Sequence, residues 1–156
     1  MENQRRYNER DQSSRSDFRQ PVENWTYKGV EYSDTWVKTR IDDKAVDFAE
    51  AFAVEELVDK KNGISTSQFR NIYGEIKRIQ LKGFSNEKTA FHLLKPKIAY
   101  AVKRQETKGA KKFKELINKM HKAVGAETEG AEDRYKNFCD FIEALLAFHK
   151  ANGGKN

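Results

Sequence analysis

The stretch "GISTSQFRNIYGEIKRIQ", residues 63–80, decides the fold because it joins the signature of a helix start to an apolar face with helical spacing. Ser65 stands where an N-cap hydroxyl accepts a hydrogen bond from a backbone amide of the first turn, and Gln68 stands where it completes a capping box. Ile64 and Phe69 are placed for a hydrophobic staple across the same turn. Further apolar residues follow at helical spacing, namely Ile72, Tyr73, Ile76 and Ile79. The stretch therefore predicts an amphipathic helix that begins at Ser65.

The chain on both sides of this stretch shows the same helical periodicity. A preceding helix is predicted from Asp42 or Asp43 to Lys60, with aspartates in its first turn and lysines in its last, as the helix dipole favours. A following helix is predicted to start at an N-cap on Ser85. Pro96 then either kinks that helix or opens a new one, because proline lacks the amide hydrogen that an interior turn needs. The central stretch is thus flanked by helices.

Two more helices complete the chain. One is predicted from about Thr107 and the last from about Ala131, with the segment "GAETEG" between them. Only two prolines and nine glycines occur in 156 residues, of which 35% are charged, and this composition is typical of helices with solvated faces rather than of many short strands. The predicted fold is all-α, a small bundle of about five helices in one domain.

The first 36 residues differ in composition from the bundle. Residues 1–24 are mostly polar with mixed charge, which predicts a flexible, disordered or partner-dependent arm. The next segment concentrates four aromatic residues, Trp25, Tyr27, Tyr32 and Trp36. They form either a strap that caps the core or an anchor for another subunit, and the sequence does not choose between these two. We therefore divide the chain into an arm with its aromatic strap, 1–36, and a helical bundle domain, 37–152.

Cysteine content and hydropathy restrict the cellular setting. Cys139 is the single cysteine, so the chain cannot form an internal disulfide. The first residues lack the apolar run of a signal peptide, and no stretch approaches the roughly 20 apolar residues of a membrane span. The sequence predicts a cytoplasmic protein that does not associate with a membrane.

The net charge of +6 is concentrated in the middle of the chain. Residues 64–122 hold fifteen basic and four acidic groups, a balance of +11, whereas residues 25–63 and 123–156 have balances of −3 and −2. A positive field of this size on a few helices favours a polyanionic partner, of which nucleic acid is the commonest in the cytosol. The alternative is a set of lysine-rich helices that only keep the protein soluble.

The sequence offers no recognisable catalytic or metal-binding pattern. The histidines His92, His121 and His149 fall on different predicted helices, without a carboxylate or thiol at ligand spacing. We expect His92 to pack at the edge of the core, and His121 and His149 to lie at the surface or its boundary. Glycine-rich phosphate loops and nucleophile motifs are absent from the sequence. The chain is therefore predicted not to be an enzyme and to bind no cofactor or metal. The one enzymatic alternative is metal-free RNA cleavage by His92 with Lys95.

Basic side chains on two neighbouring predicted helices are candidate phosphate contacts. The first helix supplies Arg70 and Lys77 on one flank, with Arg78 farther round, and the second supplies Lys97, Tyr100 and Arg104 on one face. Contacts of this kind position a nucleic-acid strand without reading its bases. If the two helices pack side by side, we expect the two groups to meet in one surface.

Lysines also crowd two predicted helix beginnings. They are Lys95 and Lys97 beside Pro96, and Lys108, Lys111 and Lys112 in the fourth helix. Cations at a helix start oppose the helix dipole by a few tenths to about 1 kcal/mol each, so helix stability alone does not explain them. Exposed amides at a helix start, together with neighbouring lysines, form a phosphate site. These positions therefore belong to the predicted nucleic-acid-binding surface.

Two motifs in this region resemble the paired signature of a known family. The first is "GISTSQFRNIYGEIKRI", and the second, about fifteen residues later, is "LLKPKIAYAVKR". Together they are similar to the small subunit (Csm2 family) of type III-A CRISPR-Cas effector complexes. The matching residues are Ser65, Thr66, Gln68, Arg70, Tyr73, Lys77, Leu94, Pro96, Lys97, Ala99, Tyr100 and Arg104. The resemblance covers about forty residues, and residues 1–36 extend beyond it.

The resemblance implies a non-catalytic RNA-binding subunit. Members of the family are small helical bundles that stack in several copies along a filament inside the effector ribonucleoprotein, where guide RNA pairs with target RNA. The implied partners are single-stranded target RNA, the backbone of the guide/target duplex, the other subunits and further copies of the chain, while catalysis belongs to other subunits. The alternative is a structural protein-interaction module that scaffolds a multisubunit complex without direct RNA contact.

Overall fold

The computed structural model describes residues 25–154, so the predicted arm, 1–24, lies outside the described residues. Within them the chain is a bundle of six α-helices with one small hairpin, which confirms the predicted all-α class. The antiparallel hairpin pairs β1, Thr26–Tyr27, with β2, Val30–Glu31. The helices are α1 (Thr35–Lys38), α2 (Asp43–Phe52), α3 (Thr66–Lys82), α4 (Lys88–Arg104), α5 (Lys108–Val124) and α6 (Ala131–Ala151). None of these helices combines the length and apolar character of a membrane span.

The start of α3 has the predicted cap but not the predicted capping box. The Ser65 hydroxyl accepts a hydrogen bond from the backbone N–H of Gln68 at 3.1 Å, and Ile64 and Phe69 are both fully buried. The Gln68 side chain, however, donates from Nε2 to the Ala101 carbonyl of α4 at 3.4 Å. The capping box is therefore wrong, because Gln68 faces the neighbouring helix, where a carbonyl lies within its reach.

The predicted helix before α3 starts as expected and ends early. Asp42 caps it by accepting a hydrogen bond at 2.9 Å from a backbone N–H of the first turn. Beyond α2 the chain widens into a π-helix, Ala53–Leu57, which stops before the predicted end at Lys60. The chain turns back at this point, and the Ile64 N–H donates to the Leu57 carbonyl at 3.0 Å. That contact occupies a carbonyl which a longer helix would need for itself.

The loop that leads into α3 is fastened to the start of α5 by close backbone contacts. The Gly109 N–H donates to the Asn62 carbonyl at 2.7 Å, and the Thr107 hydroxyl donates to the Gly63 carbonyl at 2.9 Å. A Cβ on Gly109 would overlap the Glu56 carbonyl oxygen. Glycine is therefore required at position 109, where the backbones approach too closely for a side chain.

α4 differs from the prediction at its start and at its proline. Phe84–Asn86 form a 3₁₀ turn, so the N-cap predicted on Ser85 is wrong, and α4 begins after Glu87. The helix then runs through Pro96, so the alternative of a new helix at the proline is also wrong. Pro96 lies on the exposed side of α4, where water can solvate the His92 carbonyl that loses its helical donor.

The core is built around α6, which packs against α1, α2, α3 and α5. Its buried side presents Tyr135, Phe138 and Ile142, and the Tyr135 hydroxyl donates to the Ile76 carbonyl of α3. The predicted buried face of α3 is confirmed, apart from Tyr73, which is half-buried. Both helices therefore turn the faces with helical periodicity towards a shared interior.

The aromatic segment before α2 packs on this core. Trp25 stacks on Phe52 and Trp36 on Phe141, each with ring centroids 6.0 Å apart, and both tryptophans are buried. Of the two alternatives for this segment, the structure shows a strap that caps the core of its own chain. The division of the chain at residue 36 stays a prediction.

Candidate nucleic-acid interface

A groove of about 320 Å³ runs between α3 and α4, and we call it the α3–α4 groove. Its polar lining consists of Ser65, Ser67, Gln68, Asn71 and Gln105, and its charged lining of Glu75, Lys97 and Arg104. Hydroxyl, amide and cationic groups of this kind donate hydrogen bonds to phosphate and sugar oxygens. The α3–α4 groove therefore has the chemistry of a contact with a nucleic-acid backbone.

The shape of the groove follows from the packing of its two helices. The Ser65 cap holds the first turn of α3, and the hydrogen bond from Gln68 to the Ala101 carbonyl ties that turn to α4. Ile72 of α3 and Ile98 of α4 are buried and form the floor. Because packed apolar side chains lock the two helices together, the polar groups at the rim are held on a rigid surface.

Glu75 neutralises part of the positive charge in the groove. The Lys97 ammonium lies 3.3 Å from Glu75 Oε1, and the Arg78 guanidinium lies 2.9 Å from the same oxygen. Arg78 also lies 3.5 Å from Glu87. The hydrogen bond from Arg78 has the largest effect and holds the pKa of the Glu75 carboxyl below its usual value; burial opposes it, and the hydrogen bond and charge of Lys97 add to the lowering. The carboxylate is therefore charged at neutral pH and competes with an incoming anion for both cations.

Arg104 lines the groove, and its neighbour Tyr100 lies beside it outside the lining. The guanidinium carbon of Arg104 lies 6.0 Å from the centre of the Tyr100 ring, and Tyr100 is 68% exposed. Within residues 25–154, Arg104 forms no ion pair. An exposed aromatic ring offers a platform on which a nucleic-acid base stacks. Arg104 is therefore the groove cation whose charge no described carboxylate pairs with.

Arg70 and Lys77 lie on the flank of α3 that faces away from the groove. The Lys77 ammonium donates to Gln80 Oε1 at 3.0 Å and lies on the side of α6. Burial raises the pKa of the Cys139 thiol of α6 to about 12, and the Lys77 charge is among the groups that oppose this rise. The structure thus does not bring Arg70 and Lys77 together with the cations of the groove, although α3 and α4 do pack side by side.

Of the two predicted helix beginnings, the one at Lys95 and Lys97 is wrong, whereas the one at Lys108 is confirmed. Lys95 and Lys97 lie inside α4, not at the start of a helix. At the start of α5, the N–H groups of Gly109 and Ala110 are already bonded to a loop carbonyl at 2.7 Å and to the cap hydroxyl at 3.0 Å. These amides are therefore not available to an anion.

The remaining predicted contacts on α5 are engaged by neighbouring groups. Lys111 lies 2.8 Å from a Glu106 carboxylate oxygen, and the hydrogen bond from Lys111, followed by that from Lys103, keeps the pKa of Glu106 below its usual value. The Lys112 ammonium lies 4.7 Å from the centre of the Trp25 ring. Both cations therefore lie outside the α3–α4 groove.

A second basic surface lies on the other side of α4, and the sequence did not predict it as a unit. It joins Lys38 of α1, Lys95 of α4, and Lys119 and Lys122 of α5. We call these four residues the lysine surface. Only Lys95 is among the predicted contacts. The spacing of Lys119 and Lys122 on α5 was a usable signal, whereas Lys38 comes from the short helix α1 and carried none.

Two histidines predicted at the surface are buried, so that prediction is wrong. His121 stacks on Phe91 with ring centroids 3.8 Å apart, and its Nε2 donates to the Phe91 carbonyl at 2.8 Å. His149 donates from Nε2 to the Ile64 carbonyl, also at 2.8 Å. Burial lowers the pKa of both imidazoles. Each histidine is therefore neutral, and each links two elements: α5 with α4, and α6 with the start of α3.

His92 is exposed and not at the edge of the core, which corrects the third histidine prediction. Its Nε2 lies 2.9 Å from Glu127 Oε1. Within residues 25–154, no three or more histidine, cysteine or acidic residues are grouped so that they could hold a metal ion.

One protein-family model, described as Csm2 Type III-A, matches residues 40–155. The matched region contains α2 to α6 and thus both walls of the α3–α4 groove. No curated protein and no solved structure matches the chain.

Proposed function

This chain belongs to the Csm2 Type III-A family, whose members are small subunits of type III-A CRISPR effector complexes, and we propose that it binds RNA in that complex without catalysing a reaction. Membership of the family implies assembly with other subunits of the complex. The proposed partners are single-stranded target RNA and the backbone of the guide/target duplex, with several copies of the chain along a filament in the cytoplasm. The contacts are to phosphate and sugar, so the guide RNA supplies the sequence specificity.

The observation that carries the proposal is the combination of groups in the α3–α4 groove. Lys97 and Arg104 stand among hydroxyl and amide side chains on a rigid surface, with an exposed ring at Tyr100. The cations attract phosphates, the neutral polar groups bind sugar and phosphate oxygens, and the ring stacks on a base of any sequence. This set of groups favours backbone binding without base readout.

The other predicted contacts take smaller parts in the proposal. Arg78 joins the groove indirectly, because it shares the carboxylate of Glu75 with Lys97. Five more contacts are proposed on other faces of the molecule: Arg70, Lys77, Lys95, Lys111 and Lys112. Because these five do not line the groove, we expect their removal to weaken RNA binding at the groove less than the loss of Lys97 and Arg104.

The test is a double variant of the groove, Lys97→Ala with Arg104→Ala, in fluorescence anisotropy of labelled single-stranded RNA over a series of salt concentrations. The loss of two phosphate contacts should weaken binding equally for all RNA sequences and reduce the slope of log affinity against log salt by about 1.4. The matched control is Lys44→Ala with Lys150→Ala, which removes the same charge from exposed positions outside the groove.

A groove variant that binds RNA as tightly as the control would contradict this site, and so would a loss that depends on RNA sequence. The same samples test the absence of catalysis. We expect intact labelled RNA after incubation with the wild-type chain at neutral pH, with and without divalent ions.

A second candidate function is a scaffold that contacts proteins only. The observation in its favour is an exposed apolar stripe along α4, in which Leu93 is 46% exposed, Tyr100 is 68% exposed and Pro96 lies between them. Aromatic and apolar groups beside an arginine are typical of protein interfaces. Leu93→Glu should then break co-purification with the other subunits in RNA-free preparations, whereas retained assembly would count against the scaffold.

A further inference from the structure

The lysine surface is a concave area of which the proposed RNA contacts include only Lys95. It consists of two adjoining hollows of about 850 and 470 Å³, and both are lined by Lys119 and Lys122. Lys95 of α4 borders the first hollow, and Lys38 of α1 borders the second. Ammonium groups from three helices therefore face one continuous depression.

In the described part of the chain, the lysines of this surface are not paired with carboxylates in the way that the groove cations are paired with Glu75. Within residues 25–154, none of its four lysines forms an ion pair. The Lys119 ammonium lies instead over aromatic rings, 5.1 Å from the centre of Trp25 and 6.0 Å from that of Tyr32. A cation over a ring keeps its full charge, because the ring contributes only a quadrupole. Two carboxylates, Glu115 in the first hollow and Asp34 in the second, also line the surface, but the four lysines outnumber them and the net charge stays positive.

A second sign of this field is its effect on a buried neighbour. His121 borders the first hollow, and burial lowers the pKa of its imidazole, with a further lowering by the charges of Lys95 and His92. Lys95 thus acts across the α4–α5 boundary, on the side of α4 opposite to Lys97. Lys95 and Lys97 are two residues apart, which corresponds to a rotation of about 200° around the helix axis. The lysine surface and the groove are therefore separated by α4, which is about 10–12 Å across.

The side chains of this surface select phosphate over protein. All four cations are lysines, whose compact charge suits phosphate, whereas protein interfaces are poor in lysine and rich in aromatic and arginine anchors. The large apolar side chains that are exposed within residues 25–154 are Val46, Val54, Leu81, Leu93 and Tyr100, and none of them borders either hollow. The apolar side chains that do line the first hollow, Trp25, Phe91 and Ala126, are buried, so a protein partner would find no large exposed apolar side chain there.

We propose that the lysine surface binds the phosphate backbone of a second nucleic-acid strand, separate from the strand in the α3–α4 groove. One copy of the chain then holds two strands, one on each side of α4. The contacts along the first hollow are supplied by Lys95, Lys119 and Lys122. Lys38 of α1 supplies a further contact at the second hollow. That this strand is a second one rests on the proposed function of the groove. The phosphate site on the lysine surface does not depend on that function.

The experiment uses the full chain and a labelled uridine homopolymer. The surface variant is Lys38→Ala with Lys119→Ala and Lys122→Ala, and the groove variant is Lys97→Ala with Arg104→Ala. The groove variant should keep salt-sensitive binding, and adding the three surface substitutions to it should abolish that binding. Alone, the surface variant should lose about 2 from the slope of log affinity against log salt, at about 0.7 per phosphate contact.

Energy transfer between two strands with different labels tests simultaneous binding. The wild type should bring donor and acceptor strands together, while each variant binds one strand and no longer joins two. Strand joining by the surface variant at the wild-type level overturns the proposal, and so does an affinity equal to that of Lys44→Ala with Lys150→Ala. Circular dichroism of each variant excludes loss of folding as the cause.

The outcome also separates this inference from the proposed function. If the groove variant binds like the wild type while the surface variant does not bind, the lysine surface is the RNA site and the groove is not. If the surface variant binds like the wild type while the groove variant does not, the groove stands and the lysine surface is refuted.

Discussion

The α3–α4 groove and the lysine surface flank the same helix but present their cations in different surroundings. In the groove, the Glu75 carboxylate lies 3.3 Å from Lys97 and 2.9 Å from Arg78. On the lysine surface, Lys119 lies over two aromatic rings, and no lysine of the four has an ion pair within residues 25–154. The two surfaces therefore differ in how closely a carboxylate approaches their cations.

A buried histidine also lies beneath each of the two surfaces, and the groups that surround the two histidines differ. His149 donates to the Ile64 carbonyl, next to the cap of α3 at one end of the groove. His121 donates to the Phe91 carbonyl and borders the lysine surface, where Lys95 and His92 oppose its protonation. The pKa of His121 therefore responds to charges of the lysine surface, whereas that of His149 responds to burial and to backbone carbonyls before α3.

The largest expected effect on stability is that of Gly109→Ala. This substitution lies at the end of the molecule where the groove begins. A Cβ there would overlap the Glu56 carbonyl oxygen, so the loop that leads into α3 must move. We expect the free energy of unfolding to fall by about 3 kcal/mol, as for overpacked sites, in chemical denaturation followed by circular dichroism. Lys119 lies ten residues farther along α5, about 15 Å at 1.5 Å per residue, so the lysine surface should be disturbed less.

Gly74→Ala is the matched control for that substitution. Gly74 lies within α3, and a Cβ there would meet no atom within 4 Å. Replacing a glycine inside an exposed helix should raise the free energy of unfolding by about 0.5–1 kcal/mol. If both glycine substitutions behave alike, the close approach at Gly109 does not hold the end of the groove.

The next effect is a loss of stability at mildly acidic pH, shared by the two buried histidines. Burial lowers both pKa values in the folded chain, so the unfolded chain binds protons more readily. The free energy of unfolding should therefore have its full value above pH 6.5. It should fall as the pH decreases from 6.5 towards the lowered pKa values of the two histidines in the folded chain. Urea denaturation at intervals from pH 8 to pH 5 measures this change without entering the range in which carboxylates titrate.

The two histidines should contribute differently to that pH dependence. Burial is the main cause for both, and backbone carbonyls oppose it at both: Phe91 at His121, and Ile64 and Leu57 at His149. Only His121 also faces positive charges, those of Lys95 and His92, which disfavour its protonation further. His121→Asn should therefore remove more of the slope than His149→Asn, and added salt should reduce the part that His121 contributes. A stability that stays constant or rises between pH 6.5 and pH 5 is incompatible with buried neutral histidines.

The fold could be predicted from the sequence where its signals are local. The Ser65 cap and the apolar spacing of α3 need only a few neighbouring residues, and the structure confirms both. The predictions that failed concern positions whose structure is determined by a contact with residues distant in the sequence. Gln68 leaves the capping box for a carbonyl 33 residues away, and the helix before α3 ends at Leu57 because Ile64 returns to bond with it.

The candidate site was predicted in part for the same reason. The periodicity of α4 places Lys97 and Arg104 on one face, and both line the groove. Arg70 and Lys77 do not join them, because the sequence of an amphipathic helix does not say which flank meets the next helix. Lys38 could not be predicted because it reaches the lysine surface from α1, which only the three-dimensional fold brings beside α5.

The smallest expected effect, and the most direct test of the contrast between the two surfaces, comes from Glu75→Gln. The change keeps the shape of the side chain and frees Lys97 and Arg78 from their shared carboxylate, so RNA affinity at the groove should rise about two- to threefold, about 0.5 kcal/mol for an exposed pair. The gain should shrink as salt is added, because screening weakens surface charges. In the Lys97→Ala with Arg104→Ala background, where the lysine surface is the remaining proposed site, the same change should leave RNA affinity unaltered. An equal or lower affinity of Glu75→Gln in anisotropy with single-stranded RNA would mean that the carboxylate does not limit the groove, and that the contrast with the lysine surface has no consequence for binding.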